Sequence, residues 1–366
     1  MDRRAVLCVA HVITVHAGSD LAALPAAARA LLHGTAEDGI FLTDTWFATV
    51  LAHAMPAASQ PHFLFARDQA QILGLLALRI QARRASSLTT PYSCGFAPIF
   101  APALDAAARL RVATALSGAC RAWPVTRLEA LEPNAASTLT LADGARAAGL
   151  AVRPFNHFGN WHEAVAGRSW AEYLADRPGD LRTTVRRKQA AAQRAGAQLR
   201  ILRDGPGLAA AIAGYADVYA RSWKQAEPFP DFNAAMMRAF APTGQLRLGL
   251  FEQAGQVIAA QIWLVADGTA TVVKLAHDDA ARAASPGTVL TAHMLRHLLD
   301  EEAVHSIDFG RGDHPYKRAW ASARRQKIGL LLINPRQPAG LYALGRSMLG
   351  RLVRRVYPRQ RSDSTG

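Results

Sequence analysis

The strongest constraint on the fold is a pattern that occurs twice. Phe63–Ile80 alternates apolar residues, breaks at a polar turn and resumes as a second apolar run. Arg247–Val265 has the same shape, with Phe65…Gln71-Ile72 matched by Phe251…Gln256-Val257. Period-two alternation on both sides of a short polar turn is the signature of a β-hairpin. Each hairpin follows a helix-like segment carrying a tryptophan, Trp46 in TDTWFATVLAHA and Trp223 in ADVYARSWKQ. Helix then hairpin, twice, implies two copies of one α/β unit.

The length permits this. A chain of 366 residues suits two packed domains. Half of the residues are hydrophobic and 19% are charged, which supplies a sizeable core and excludes wholesale disorder. Pro154, Gly159, Gly167, Pro178 and Gly179 break the pattern and place a boundary near residues 155–180. The expected organisation is a first domain over 1–165, a second over 166–340 and a tail over 341–366. The second is read as a helix up to Gly196, then helices over Gly207–Gln225 and Asp231–Ala241, the hairpin, a strand Thr269–Ala276, a helix Thr288–Glu302 and a short strand His305–Phe309. In the tail, Leu341, Leu344, Met348, Leu352 and Val356 share one helical face, with Arg346, Arg351, Arg354 and Arg355 largely elsewhere.

Charge sharpens the picture. The net charge is +14, which points to an anionic partner. Three segments, 181–203, 311–327 and 336–361, hold 20 of the 42 basic residues and one acid, Asp313. The rest is mildly acidic, so the basicity lies in patches rather than in a uniform polyanion-binding face. Cys8, Cys94 and Cys120 are odd in number and far apart, which suits a reducing compartment. Arg3-Arg4 and the apolar run to Val15 read as an opening strand rather than a signal peptide, since His11 and His16 interrupt the run.

Two motifs carry chemistry. Asp308-Phe309-Gly310-Arg311-Gly312-Asp313-His314-Pro315-Tyr316-Lys317-Arg318-Ala319-Trp320 crowds acids, bases and aromatics at a strand end, where α/β folds place ligands. Arg282-Ala283-Ala284-Ser285-Pro286-Gly287-Thr288 stands between strand and helix. There, backbone N–H groups and the helix dipole can bind phosphate. Taken alone, this segment reads more simply as a helix start capped by Ser285 or Thr288, with Pro286 in the first turn.

Together, the SPGT turn and the DFGRGDxPYKxxW string resemble the BioF2-like branch of the GNAT acyl-CoA N-acyltransferase superfamily, related to Fem-type peptidoglycan bridge transferases. Members of that branch are often described as cellulose or exopolysaccharide biosynthesis proteins. The TTVRRKQAAAQRAG segment resembles the basic helix that opens the family's second domain. The likeness spans roughly residues 40–335. It implies an α/β (α+β) fold of tandem GNAT-like domains, each a mixed, mostly antiparallel sheet flanked by helices, the first degenerate. Arg282-x-x-Ser285-x-Gly287 resembles the superfamily's pyrophosphate loop with Ser in place of its first Gly. His277-Asp278 stands where relatives often carry Tyr-Asp.

The expected activity is acyl transfer from acyl-CoA, with no metal, to an amine of a lipid, sugar or peptide precursor; a long-chain base giving a ceramide-like product is one version. His277 is the candidate base, Asp278 its orienter or the ammonium's partner, and Tyr316 the acid for the leaving thiolate. Asp308 and Asp313 are expected to position cations or recognise the amine. Arg282, Ser285, Pro286, Gly287, Thr288, Arg311 and Lys317 form the cofactor set. Phe309, Trp320 and Trp223 wall the pocket, although Trp223, like Trp46 and Trp123, also suits a core. His293 and His297 lack the glutamate of an HExxH site; His157 and His162 read as domain-junction packing, and Cys94 as a buried small residue. The arginine tail suggests a cytoplasmic enzyme held peripherally on the inner membrane. Two other readings stand: a Fem-type transferase using aminoacyl-tRNA, and a non-enzymatic nucleic-acid-binding protein, for which no recognition motif is present.

Overall fold

A computed structural model describes residues 12–33 and 39–346. Its first series of elements is β1 (Thr14–Gly18), α1 (Ala26–Ala30), α2 (Asp44–His53), β2 (Ser59–Asp68), β3 (Gln71–Gln81), β4 (Arg84–Ser87), β5 (Ile99–Phe100), α3 (Ala106–Ala119), β6 (Val125–Leu131), α4 (Ala136–Ala147) and β7 (Ala151–Ala164). Helices α5 (Trp170–Ala175) and α6 (Gly179–Arg194) follow. The second series is β8 (Gln198–Leu202), α7 (Leu208–Ala220), α8 (Phe232–Phe240), β9 (Leu246–Gln253), β10 (Gln256–Ala266), β11 (Thr269–His277), α9 (Pro286–Asp300), β12 (Ser306–Arg311), α10 (Pro315–Trp320) and β13 (Ala323–Ile333). Apart from the two-residue β5, the order strand, two helices, three strands, helix, strand, helix, strand occurs twice. The repeat signalled by the two hairpins is therefore a repeat of the whole unit.

The strands form one mixed sheet in the order β1-β2-β3-β4-β6-β13-β7-β12-β11-β10-β9-β8, with β5 on β3. Each half follows the same path, and the last strand of each series crosses to the other half. Thus β13 lies against β6, while β7 lies against β12, and β7 and β13 pair antiparallel along nearly their whole length. Turn chemistry sets the register of the second half. Ala254-Gly255 joins β9 to β10 and Asp267-Gly268 joins β10 to β11, all four residues at positive φ, as a two-residue type I′ hairpin requires.

Helices cover the sheet. Trp46 on α2 is fully buried and meets Phe232 and Phe240 of α8 at ring-centroid distances of 5.6 and 6.4 Å. Because α2 and α8 hold the same place in their series, equivalent helices pack on each other. A second core gathers around α9, with Trp263, Leu295 and Phe309 inside.

Two expectations are corrected here. Pro154 and Gly159 do not break the chain, since β7 runs through both. Pro154 is tolerated because β12 pairs with β7 only from Asn160 onward, so the other edge of β7 is unpaired at the proline. Gly159 leaves room for the Asp313 carboxylate, which lies 2.2 Å from where a Cβ would stand and would have to move aside for one. Helix α7 also ends at Ala220, five residues before the expected Gln225; Ser222 Oγ donates to Tyr219 O at 2.7 Å and turns the chain out of the helix.

Of the tail, residues 338–346 are helical, with Leu341 and Tyr342 exposed. Arg351, Arg354 and Arg355 lie outside the described residues, as does the run Ala5–Ala10 read as an opening strand. No helix among the described residues is long and apolar enough to cross a membrane.

A buried ionic node fastens the crossing strands. Glu163 on β7, 4% exposed, accepts from Arg177 at 2.7 Å and from the Ser322 N–H and hydroxyl at 2.7 and 2.6 Å. Burial alone would raise its pKa, but Ser322 and Arg177 hold it below the usual carboxylate range. Its stabilisation is complete above the unfolded-state pKa and is lost as pH falls through the lower folded value. Glu163→Ala strands a buried guanidinium and is expected to cost about 3–5 kcal/mol, read as a lower urea midpoint at neutral pH. The difference from wild type should shrink in acid.

Candidate active site

Strands β11 and β12 run parallel and pair at Thr269/Ser306, Ala270/Ile307 and Thr271/Asp308. Gly310, at φ +67°, then turns β12; a Cβ there would lie 2.4 Å from Val272 O. Beyond this point lies a cavity of about 560 Å³, within the range of small-molecule sites. Val272, Lys274 and His277 of β11 form one wall, and Phe309 and Arg311 of β12 another. The start of α9 and the short α10 close it, the latter with Tyr316, Lys317 and Trp320.

One end of the cavity lies at the start of α9. Ser285 holds the N-cap position in the left-handed region (φ 52°, ψ 49°), Pro286 follows, and no side chain caps the helix. Ser285 thus holds the expected cap position without a side-chain cap; Thr288 and Val289 N donate to Ser285 O at 3.0 and 3.1 Å, and the helix start keeps its dipole. Arg282, Ser285, Pro286, Gly287 and Thr288 all line the cavity here. Lys188 of the basic helix α6 donates to Ala283 O and steadies the loop. The matching helix of the first series differs, since Asp105 caps α3 by accepting from Ala108 N at 2.7 Å. A carboxylate fills the place an anion would take.

His277 lies at this same end. Its ring stands 4.3 Å from that of Trp223, and its Nδ1 lies 3.1 Å from Asp278 O. That contact assigns the proton to Nδ1 and leaves Nε2 with a free lone pair. Burial lowers its pKa, so the ring is neutral at pH 7. Burial raises the Tyr316 pKa, so its phenol stays protonated and able to donate.

The three carboxylates expected in the chemistry sit elsewhere, because arginines and backbone groups hold them. Asp278 is paired with Arg221, accepts from Ala280 N at 2.9 Å, and turns its side chain away from His277. Asp308 accepts from Asn160 at 2.6 Å, Gly310 N at 2.7 Å and Arg325 at 2.8 Å. It lines a smaller polar cavity, with His162, rather than the main one. Asp313 is held by Arg324 at 2.7 and 2.5 Å outside the cavity. They shape the loops around the site. His157 joins strands, accepting from Ala130 N at 2.9 Å with Arg311 3.0 Å from its other nitrogen.

The sequence reading missed a group on the opposite wall. Pro91, Tyr92 and Cys94, from the first series, line the cavity. The Tyr92 hydroxyl donates to Glu227 at 2.9 Å, and Glu227 pairs with Lys274 at 2.6 Å. Burial opposes ionisation of Glu227, yet Lys274, Tyr219 and Tyr92 bring its pKa below the usual range. Lys224 lines the same wall, and burial, reinforced by Lys274, lowers its pKa to about 8. One sequence signal could have found this set. The chain has only five lysines among its 42 basic residues, and Lys224, Lys274 and Lys317 all face this cavity.

The architecture is a doubled β-α-α-β-β-β-α-β-α-β unit, with a cavity beyond the pairing of two parallel strands at an uncapped helix start. Residues 179–318 match the family model of the acetyltransferase (GNAT) domain. Residues 179–318, largely in the second half of the chain, are thus a GNAT acetyltransferase domain. Its fold is similar to that of FemX, with a TM-score of 0.59 at 10% identity over 87% of this chain and 97% of that one. It is also similar to a conserved protein of unknown function from Bacteroides thetaiotaomicron VPI-5482, with a TM-score of 0.56 at 9% identity over 87% and 100% of the two chains. No curated protein sequence matches the chain.

Ser285 yields a direct test of the loop. A non-glycine residue in the left-handed region costs about 1–2 kcal/mol, partly offset by the chain entropy glycine loses on folding. Ser285→Gly is expected to leave stability equal or raised by up to about 1 kcal/mol. Chemical denaturation measures this; a clear loss would show that the serine hydroxyl holds the loop.

Proposed function

We propose that this protein transfers an acyl group from a CoA thioester to an amine, with the reaction in the cavity beyond the β11/β12 pairing. The observation that carries the reading is the uncapped N-terminus of α9, opening with Arg282 onto a cavity that leads to Tyr316. The CoA pyrophosphate fits that terminus, where N–H groups and dipole favour negative charge. The uncharged thioester arm then extends along β11. Backbone N–H groups of β11 beyond Val272 are the proposed donors to the carbonyl oxygen as it becomes an oxyanion.

The chemistry follows from two protonation states. The amine lone pair attacks the thioester carbon, and the C–N bond forms as C–S breaks. His277 Nε2, neutral and unprotonated, takes the proton the amine loses, directly or through one water. Tyr316 gives its phenolic proton to the departing thiolate. Asp278 acts at one remove, by fixing the loop through Arg221. The acceptor belongs to the lipids, sugars or peptide precursors that carry a free amine. The arginines of 336–361 favour one at an anionic bilayer, worth about 1 kcal/mol each near the surface.

Thiol release from acetyl-, octanoyl- and palmitoyl-CoA across candidate amines tests this reading. Tyr316→Phe should lower kcat about 10²–10⁴-fold while CoA binding persists. In the wild type, activity should rise with pH through a value below the ordinary histidine pKa, since His277 must be neutral. That acid limb should vanish in His277→Ala. No release with any CoA donor, together with amide formation from an aminoacyl-tRNA, would move the reading to the Fem-type reaction.

A further inference from the structure

Five cationic side chains, Arg282, Lys224, Lys274, Lys317 and Arg311, line the cavity. Arg282 stands at the α9 end, where the phosphates belong. The thioester arm itself is uncharged, and no carboxylate lines the cavity among the described residues. Some of this charge is spoken for. Glu227 neutralises Lys274 at 2.6 Å. Lys317 donates to the carbonyls of Arg311 and Gly310 at 2.7 and 3.3 Å, and the Arg311 guanidinium lies 4.6 Å from the centre of the Phe158 ring.

Lys224 differs from all of these. Among the described residues it has no carboxylate within ion-pair distance, and its ammonium lies 5.5 Å from the centre of the Trp223 ring. The chain supplies its other basic positions almost entirely with arginine, so a lysine here marks a place for a compact point charge. A bare ammonium acceptor would be repelled by this wall. An amine that also carries an acid group would be held by it, and the same field would favour the uncharged amine that the reaction needs.

We propose that the acceptor is an acid-bearing amine, its carboxylate or phosphate held by Lys224 beside the Tyr92–Glu227–Lys274 cluster. This rests on the acyl-transfer reading above. It narrows the acceptor to a class and gives the first series of elements, through Tyr92, a part in binding it.

The test uses the full chain and paired amines with and without the acid: glycine and glycinamide for carboxylate, glucosamine 6-phosphate and glucosamine for phosphate, with rates compared per concentration of uncharged amine because the members of a pair differ in basicity. In the thiol-release assay kcat/KM should favour the acid-bearing member by about tenfold or more, the worth of one charge-assisted hydrogen bond. The pair that shows the preference identifies the acid. Lys224→Met should bring the ratio close to one with the KM for CoA unchanged, and Lys224→Arg should restore part of it. Equal rates within both pairs, or a Lys224→Met variant that raises the KM for CoA and keeps the ratio, would overturn the proposal while leaving acyl transfer intact. Absence of thiol with every donor and amine would instead count against the acyl-transfer reading. Protection of Lys224 from trinitrobenzenesulfonate would then decide the site: protection by the acid-bearing member alone supports it, and none from either overturns it.

Discussion

The antiparallel pairing of β7 with β13 is the constraint on which the rest depends. Each strand ends one series of elements and completes the sheet of the other, so neither half closes without its partner's last strand. The exchange brings Asn160 beside Asp308 and sets Glu163 to receive Arg177 and Ser322. The loop after β12 is thereby held from both sides. Gly312 N donates to Gly159 O at 2.8 Å, and Asp313 lies against Gly159 within its pair with Arg324. Tyr316 and Lys317 follow directly, so their placement on the cavity descends from the centre of the sheet.

The two halves share a topology and differ in one electrostatic detail. In the first, Asp105 fills the N-terminus of α3 with a carboxylate. In the second, Ser285 leaves the N-terminus of α9 without a side-chain cap and takes a backbone conformation that glycine adopts more readily. One half has satisfied its helix start internally; the other holds it open beside a cavity rich in lysine. The first half contributes instead through the segment after β4, which brings Tyr92 to the opposite wall.

Much of this was legible in the sequence because it is local. The hairpins followed from alternation and turns, α9 from the turn that precedes it, and the SPGT segment from small residues between strand and helix. Arg282, Ser285, Gly287, Tyr316 and Lys317 were found within two short motifs, His277 at the end of the preceding strand, and all six line one cavity. Where the carboxylates point was not legible, for a reason that sequence does not carry. Asp278, Asp308 and Asp313 are adjacent to those residues in the chain, but arginines from elsewhere (Arg221, Arg325 and Arg324) draw their side chains away. Pro154 and Gly159 looked like breakers because the rule assumes a strand with both edges occupied and no close neighbour.

The sequence by itself determined that the chain doubles one α/β unit, that its second copy has a small-residue turn before a helix, and that its basicity is patchy. These rest on periodicity, turn residues and charge order, which act over a few residues. Only the tertiary structure decided that the last strands cross over, that Tyr92 enters the second half's cavity, and that Lys224 faces it without a carboxylate partner. Those depend on which segments meet across long separations, and sheet pairing and burial, rather than local preference, settle that.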